Sequence, residues 1–261
     1  MKVPLVLLSG GMDSTYLVSY MLAEDGPIDI LYVNGGQAQE KMKLELEARD
    51  RLIEFMNREY PNKIQRQYEI LQPVYLHDGQ SKKWNQPNSW MQGAYRVLDA
   101  KRHSCVRVAY VDSDGAYFGK HLQHVEDQWN SMLKHGFHGD PIPLEFPLLH
   151  MTKLNVLEEI DKRLLPMVWV CEMPSEGKAC QKCSPCMLAN LTLYQYKQKH
   201  EETVWRAVAR AQRKGPYCTD RAEQRVMQHV GKCSYVDIRY PSYDYYKCPP
   251  EYKLETIDSE G

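Results

Sequence analysis

Two groups of side chains in this chain have the types and spacing to do chemistry. The first is Ser9-Gly10-Gly11-Met12-Asp13-Ser14-Thr15, which brings together three hydroxyls, one carboxylate and two adjacent glycines. Consecutive glycines let a backbone turn sharply and approach a ligand closely. If a helix starts at this turn, its first N–H groups have no partner within the helix, and with the hydroxyls beside them they suit an anion. The alternative is an ordinary turn in which Asp and Ser act as helix caps. No lysine follows the glycines, so the loop is not G-x-x-x-x-G-K-[ST].

The second group is Cys171, Cys180, Cys183 and Cys186, spaced C-x(8)-C-x(2)-C-x(2)-C, with Pro174, Gly177 and Pro185 available for turns. Four thiolates in one short segment can surround a tetrahedral Zn²⁺. With every position filled by protein the ion has no open position for substrate, so its role is structural, with apparent binding of about 10–16 kcal/mol in small zinc modules. An iron–sulfur cluster and redox-active Cys-x-x-Cys pairs are the competing readings of the same spacing.

The elements that must position these groups follow from periodicity. Residues 3–8 have the length and composition of a buried strand, and Tyr16, Leu17, Tyr20 and Met21 continue at helical spacing after the glycines. Residues 28–33 predict a second strand, and residues 38 to about 60 a helix with apolar Met42, Leu44, Leu46, Leu52, Ile53 and Met56. This alternation predicts an α/β fold with a parallel sheet. Loops at the carboxyl ends of such strands gather the ligand, which sets Asn34-Gly35-Gly36-Gln37 beside the first loop, with Glu40, Glu45 and Glu47 beyond it.

Residues 63–71 alternate Ile64, Tyr68 and Ile70 with polar side chains and predict a third strand. Residues 72–92 predict a long loop containing Trp84 and Trp90, whose rings either stack on a purine-like base or pack the loop onto the body. Residues 106–111 predict the next strand, ending in Asp112-Ser113-Asp114-Gly115. Asp112 and Asp114 could hold Mg²⁺ or orient an amine or a base, and a plain Asp/Gly turn is the alternative. Leu122, Val125, Trp129, Met132 and Leu133 mark an amphipathic helix; His121, His124, His135 and His138 around it lack a third ligand at suitable spacing and read as surface residues. Thr152 can cap a helix over residues 153–164. Lys153, in its first turn, is poorly placed for the helix dipole, so either it meets an anion or it is a plain surface lysine.

The run from Ser9 to Ser14 resembles the SGGxDS signature of the PP-loop ATP pyrophosphatases. Tyr32…Gly36-Gln37…Glu45-Leu46-Glu47-Ala48 is similar to the YGQ…ELE stretch of one branch, the 7-cyano-7-deazaguanine synthases, as are the segment ending in Thr152-Lys153 and the order and spacing of the four cysteines. The resemblance spans residues 2–196. It implies a Rossmann-like parallel sheet of the PP-loop type with a zinc-binding loop. It further implies ATP and Mg²⁺ bound by Ser9, Gly10, Gly11, Asp13 and Ser14 with Gly36 and Gln37 nearby, Lys153 neutralising phosphate, and catalytic roles for Asp13, Lys153 and Asp114. The implied activity is that of an ATP-dependent carbon–nitrogen ligase, which adenylates a carboxylate such as 7-carboxy-7-deazaguanine and uses ammonia to form an amide and then a nitrile. Two motifs depart from the family: Gln92-Gly93-Ala94-Tyr95 stands where a GRN-type motif is usual, and Tyr117-Phe118-Gly119-Lys120 replaces a YPDC-type substrate motif. They leave open a relative of antiviral defence systems that attaches the activated group to an amine of a partner protein. A non-catalytic nucleotide-binding scaffold is the reading from another class.

At 261 residues and 43% hydrophobic side chains the chain can bury a full core. The expected organisation is an α/β ATP-binding domain over residues 1–165, a zinc-binding loop and helix over 166–200, and a C-terminal helical or irregular extension over 201–261. The extension is rich in tyrosine, carries Cys218, Cys233 and Cys248, and reads as a cap or an oligomer contact. A net charge of -1 gives no global field to attract nucleic acid, so direct nucleic-acid binding is not expected. There is no run apolar enough to span a bilayer and no signal-peptide pattern, which predicts a cytoplasmic protein with reduced thiols. A homodimer is the expected assembly.

Overall fold

The computed structural model describes residues 2–34, 39–71, 86–112, 122–137 and 139–199. In chain order these form β1 (Val3–Leu7), α1 (Met12–Glu24), β2 (Ile28–Asn34), α2 (Gln39–Glu59), β3 (Ile64–Leu71), α3 (Gln86–Val97), β4 (His103–Arg107), α4 (Leu122–Gly136), β5 (Leu144–Glu145), α5 (Lys153–Glu159) and α6 (Ser184–Lys199). The strands make one sheet of order β3-β2-β1-β4-β5 in which every neighbouring pair is parallel. Leu5 pairs with Asp29 on one side and Val106 on the other, which makes β1 the central strand.

Alternation along β1 divides its side chains between two faces. Val6 and Leu8, with Ile28 and Ile30 of β2, are covered by Leu17 and Met21 of α1, Leu52 and Met56 of α2, Val156 of α5 and Leu193 of α6. Leu5, Leu31 and Val106 are covered on the opposite face by Trp90 and Met91 of α3 and Trp129 and Leu133 of α4. Strands covered on both faces read as near-continuous apolar runs, which explains Val3–Leu7 and Ile28–Asn34. Among the described residues the edge strand β3 pairs only with β2, so Gln65, Arg66 and Gln67 are exposed there without penalty.

At the amino end of the sheet, the fully buried carboxylate of Asp29 accepts from Nη2 of Arg102 at 2.6 Å and from Nε2 of His103 at 3.1 Å. His103 Nδ1 accepts the Asp99 N–H at 3.1 Å, which fixes the neutral tautomer that carries its proton on Nε2. The group ties β2 to β4 at the end of the sheet away from the glycine turn.

Three expected elements shift. The strand expected over 106–111 runs instead over His103–Arg107, because a buried, hydrogen-bonded histidine occupies a core position that a hydrophobicity pattern skips. The loop expected over 72–92 is helical from Gln86 onward, and Trp90 is buried in the core with its indole N–H on Tyr110 Oη at 2.8 Å. The helix expected over 153–164 stops at Glu159, where Lys162 Nζ folds back onto the carbonyls of Glu158 and Ile160 at 2.9 and 3.2 Å. The capping expectation holds: Thr152 Oγ1 accepts the Asn155 N–H at 3.2 Å while Asn155 Oδ1 accepts the Thr152 N–H at 2.9 Å. Gly36, Gln37, Trp84, Asp114, His121, His138, the 117–120 segment and the 201–261 extension lie outside the described residues. Of the described helices, none is long and apolar enough to cross a membrane.

Candidate functional site

The chain adds β2 and β3 on one side of β1 and then crosses to add β4 and β5 on the other. The winding therefore reverses between β1 and β4, and in open parallel sheets the crevice beyond the carboxyl ends at such a reversal receives the ligand. A cavity of about 330 Å³ lies there. Ser9, Gly11, Asp13 and Ser14 of the glycine turn line it with Lys153, Tyr32 and Val33 of β2, Lys41 and Glu45 of α2, and Trp90 and Tyr110 on the opposite side.

The turn is held by its own hydroxyls. Ser14 Oγ accepts the Ser9 N–H at 3.2 Å, donates to the Gly11 carbonyl at 3.1 Å and lies 3.0 Å from Ser9 Oγ, which in turn accepts the Gly11 N–H at 3.3 Å. Gly10 takes φ +84°, a conformation that favours glycine, and the position of a Cβ on it lies 3.4 Å from the Glu45 carbonyl oxygen. Gly11 is the N-cap of α1, and among the described residues no side chain caps that end. The serines thus shape the loop rather than cap the helix, and Gly11 through Ser14, the first turn of α1, line the cavity.

Lys153 comes from the first turn of α5, whose capping box fixes where that turn begins. Its Nζ reaches Asp13 Oδ2 at 2.5 Å, bringing together two of the three residues assigned catalytic roles from the sequence. Beside them Tyr32 donates to Glu45 Oε2 at 3.0 Å, Lys41 Nζ lies 3.4 Å from Glu45 Oε1, and the Arg49 guanidinium sits 5.0 Å from the Tyr32 ring centre. Burial pushes the Glu45 carboxyl above the usual range, against the pull of Lys41, and it likewise pushes up the Tyr32 phenol, reinforced by the Glu45 charge.

The four cysteines converge as their spacing predicts: their sulfurs all lie within 4.8 Å of one another. A tetrahedral Zn²⁺ with Zn–S bonds of about 2.3 Å needs sulfurs roughly 3.8 Å apart, so the set fits a zinc ion. Cys171, Cys183 and Cys186 are buried, and backbone N–H groups of Cys180 and Cys183 point at Cys171 and Cys180 sulfurs, each at 3.2 Å. Sulfur-to-sulfur hydrogen bonding with Cys171 and Cys186 pulls the Cys183 thiol below its ordinary range. The segment between the first two cysteines folds as a two-residue hairpin, Ser175 against Lys178, whose central Glu176 and Gly177 both take positive φ. Cys105, by contrast, is buried apart from the cluster, and its thiol is pushed up to about 11 by burial, which keeps it protonated and inert. His124 and His135 are exposed on α4, as surface residues should be.

Several cavity residues carry no motif. Lys41 is legible only as the i−4 partner of Glu45, Tyr110 only as a member of the strand expected over 106–111, and Trp169 only as an aromatic two residues before the first cysteine. Neither protein-family models nor curated proteins give any match to this chain.

Proposed function

We propose that the chain is an ATP-dependent carbon–nitrogen ligase of the PP-loop, Rossmann-like type, which adenylates a carboxylate of the 7-carboxy-7-deazaguanine kind and passes the acyl group to ammonia. The observation that carries this reading is the approach of Lys153 to the Ser9–Ser14 loop at the reversal point of the sheet, beside a cavity of about 330 Å³. A lysine and the first turn of a helix meeting at one pocket favour a polyanion.

A carboxylate is a poor electrophile. Its attack on the α-phosphorus of ATP forms an acyl adenylate and expels pyrophosphate; ammonia then displaces AMP and leaves an amide. A second adenylation, on the amide oxygen, and loss of AMP give the nitrile. In both activations negative charge grows on departing pyrophosphate, where the N–H groups of the loop and Lys153 would stabilise it. Asp13, an oxygen donor beside that charge, would hold Mg²⁺, which offsets phosphate charge when bound. The chemistry requires no side-chain nucleophile, and the acceleration comes from holding the reactants in line. The four cysteines would hold a structural Zn²⁺ with no open position for substrate.

The test is pyrophosphate release by the full chain with ATP, 7-carboxy-7-deazaguanine and ammonium, followed by product mass. Release with an amide or nitrile product supports the reading. Turnover that needs a protein amine replaces the acceptor, and a chain that binds no ATP overturns the proposal.

A further inference from the structure

The glycine turn and the cysteine module meet at Trp169. Its backbone N–H donates to the Gly10 carbonyl at 2.8 Å, and its indole N–H donates to the Cys171 carbonyl at 2.9 Å. The Trp169 carbonyl lies 3.7 Å from where a Cβ on Gly11 would stand. On the other side of the turn, Ala48 of α2 lies 3.7 Å from the Cβ position of Gly10 and packs with Trp169, Cys171, Cys183 and Cys186 in one buried cluster. A further tie joins the hairpin tip to α2, from Gly177 N–H to Glu40 Oε1 at 2.7 Å. Gly10 is therefore clasped between α2 and Trp169, and the cysteine module grips both.

We propose that the metal-loaded cysteine module sets the shape of the glycine turn through Trp169, so that metal loading governs how well the cavity binds nucleotide. The nucleotide half of this statement rests on the function proposed above; the mechanical half does not. Glycine has the widest backbone freedom of any residue, so a Gly-Gly turn holds one shape only if its surroundings impose it. The serine hydrogen bonds tie the two ends of the turn, while Trp169 N–H fixes the carbonyl of its middle. The module itself has little apolar surface: its buried cluster is Ala48, Trp169 and three of the cysteines, separate from the two large clusters on the faces of the sheet. A metal is what would hold such a segment closed, and its loss would open the segment locally while both faces stay packed. Glu172, next to the first cysteine, also lines the cavity, so opening of the segment removes contact surface as well as shape.

The experiment compares the full chain loaded with Zn²⁺ and stripped by a chelator, reading amide hydrogen exchange, far-ultraviolet circular dichroism and ATP affinity by calorimetry. Stripping is expected to raise exchange across residues 9–16 by about tenfold, leave β2 and the circular dichroism unchanged, and weaken ATP binding by about tenfold. Trp169→Phe, which keeps the cysteines and the backbone N–H but removes the indole bond to Cys171, should retain one metal per chain and raise exchange in the same peptide by roughly threefold. Increased exchange confined to residues 171–186, a global loss of circular dichroism on stripping, or a Trp169→Phe loop that exchanges as wild type each overturn the coupling. A loaded chain that binds no ATP overturns the proposed function and the nucleotide half of the inference, while the exchange result alone judges the mechanical half.

Discussion

Lys153 Nζ lies 2.5 Å from Asp13 Oδ2, an ion pair closed across 140 residues of chain at the mouth of the glycine turn. Both side chains are only roughly one-sixth exposed, so solvent screens the pair little and its attraction is offset by the cost of desolvating two charges. Its functional weight is larger under the proposed chemistry, since Lys153 faces the charge that moves onto pyrophosphate. Lys153→Met should lower pyrophosphate release by about 10²–10³-fold, and it should also lower the melting temperature because Asp13 loses its cation in a mostly buried site. Lys153→Arg should recover part of the rate, since it restores charge but not the compact geometry of an ammonium. Steady-state kinetics with calorimetric binding separates the two effects, and equal rates for wild type and Lys153→Met would remove Lys153 from the mechanism.

Gly10→Ala should injure the loop in a way that another glycine substitution does not. At φ +84° an alanine costs about 1–2 kcal/mol in backbone strain alone, and its Cβ meets the Glu45 carbonyl oxygen at 3.4 Å. Gly26 also has positive φ, +103°, but nothing lies within 4 Å of its Cβ position. Gly26→Ala is therefore the control: both variants should lose comparable stability in urea titrations, whereas only Gly10→Ala should lose ATP affinity.

The parts of this fold that were legible in the sequence are those where one physical demand governs a segment. Buried strands need continuous apolar residues, so β1 and β2 were read nearly to the residue, and metal ligation needs close thiols, so the four cysteines were read as a set. Misreadings arose where two demands share a position. His103 is polar by type and core by packing, which displaced the start of β4; Trp90 sits among turn-forming residues and yet anchors α3. Gly93, noted as a departure from a family motif, has a packing reason: a Cβ there would stand 2.5 Å from Val33 Cγ2, so α3 can lie this close to β2 only with glycine at the contact. Contacts between distant segments, such as Trp169 with Gly10, leave no local pattern to read.

His103 predicts an acid limit to stability. Burial holds its pKa below the ordinary value, outweighing the attraction of Asp29, with Arg102 adding to the depression. Asp29, Arg102, Asp99 and Tyr68 are the neighbours that set its field. Because the folded pKa is depressed, the unfolded chain binds the proton first. The stabilisation is complete above the unfolded value, about 6.5, and is lost as pH falls toward the folded pKa. Urea midpoints should therefore decline below about pH 6.5 in wild type. In His103→Gln, which keeps a donor toward Asp29 without a titrating ring, that part of the decline should vanish from a lower starting stability. Parallel pH profiles for the two proteins would show that His103 is not the group responsible.

Metal identity at the cysteine cluster gives a prediction that needs no substrate. Four sulfurs within 4.8 Å can serve one tetrahedral ion, and an iron–sulfur cluster is the rival for the same residues. Protein purified without added metal should contain about one zinc and negligible iron or acid-labile sulfide per chain. Replacing zinc by Co²⁺ should produce intense visible bands, which tetrahedral sites show and octahedral ones do not, together with thiolate-to-metal charge transfer. Cys183→Ser should weaken both signals and lower metal affinity by about a hundredfold or more, since it takes a buried thiolate from the centre of the set. Cys105→Ser should leave the cobalt spectrum untouched, because that thiol lies outside the cluster and is held protonated by burial. A cobalt spectrum insensitive to Cys183→Ser would mean that the ion binds elsewhere, and with it the physical basis for linking the cysteine module to the glycine turn would be lost.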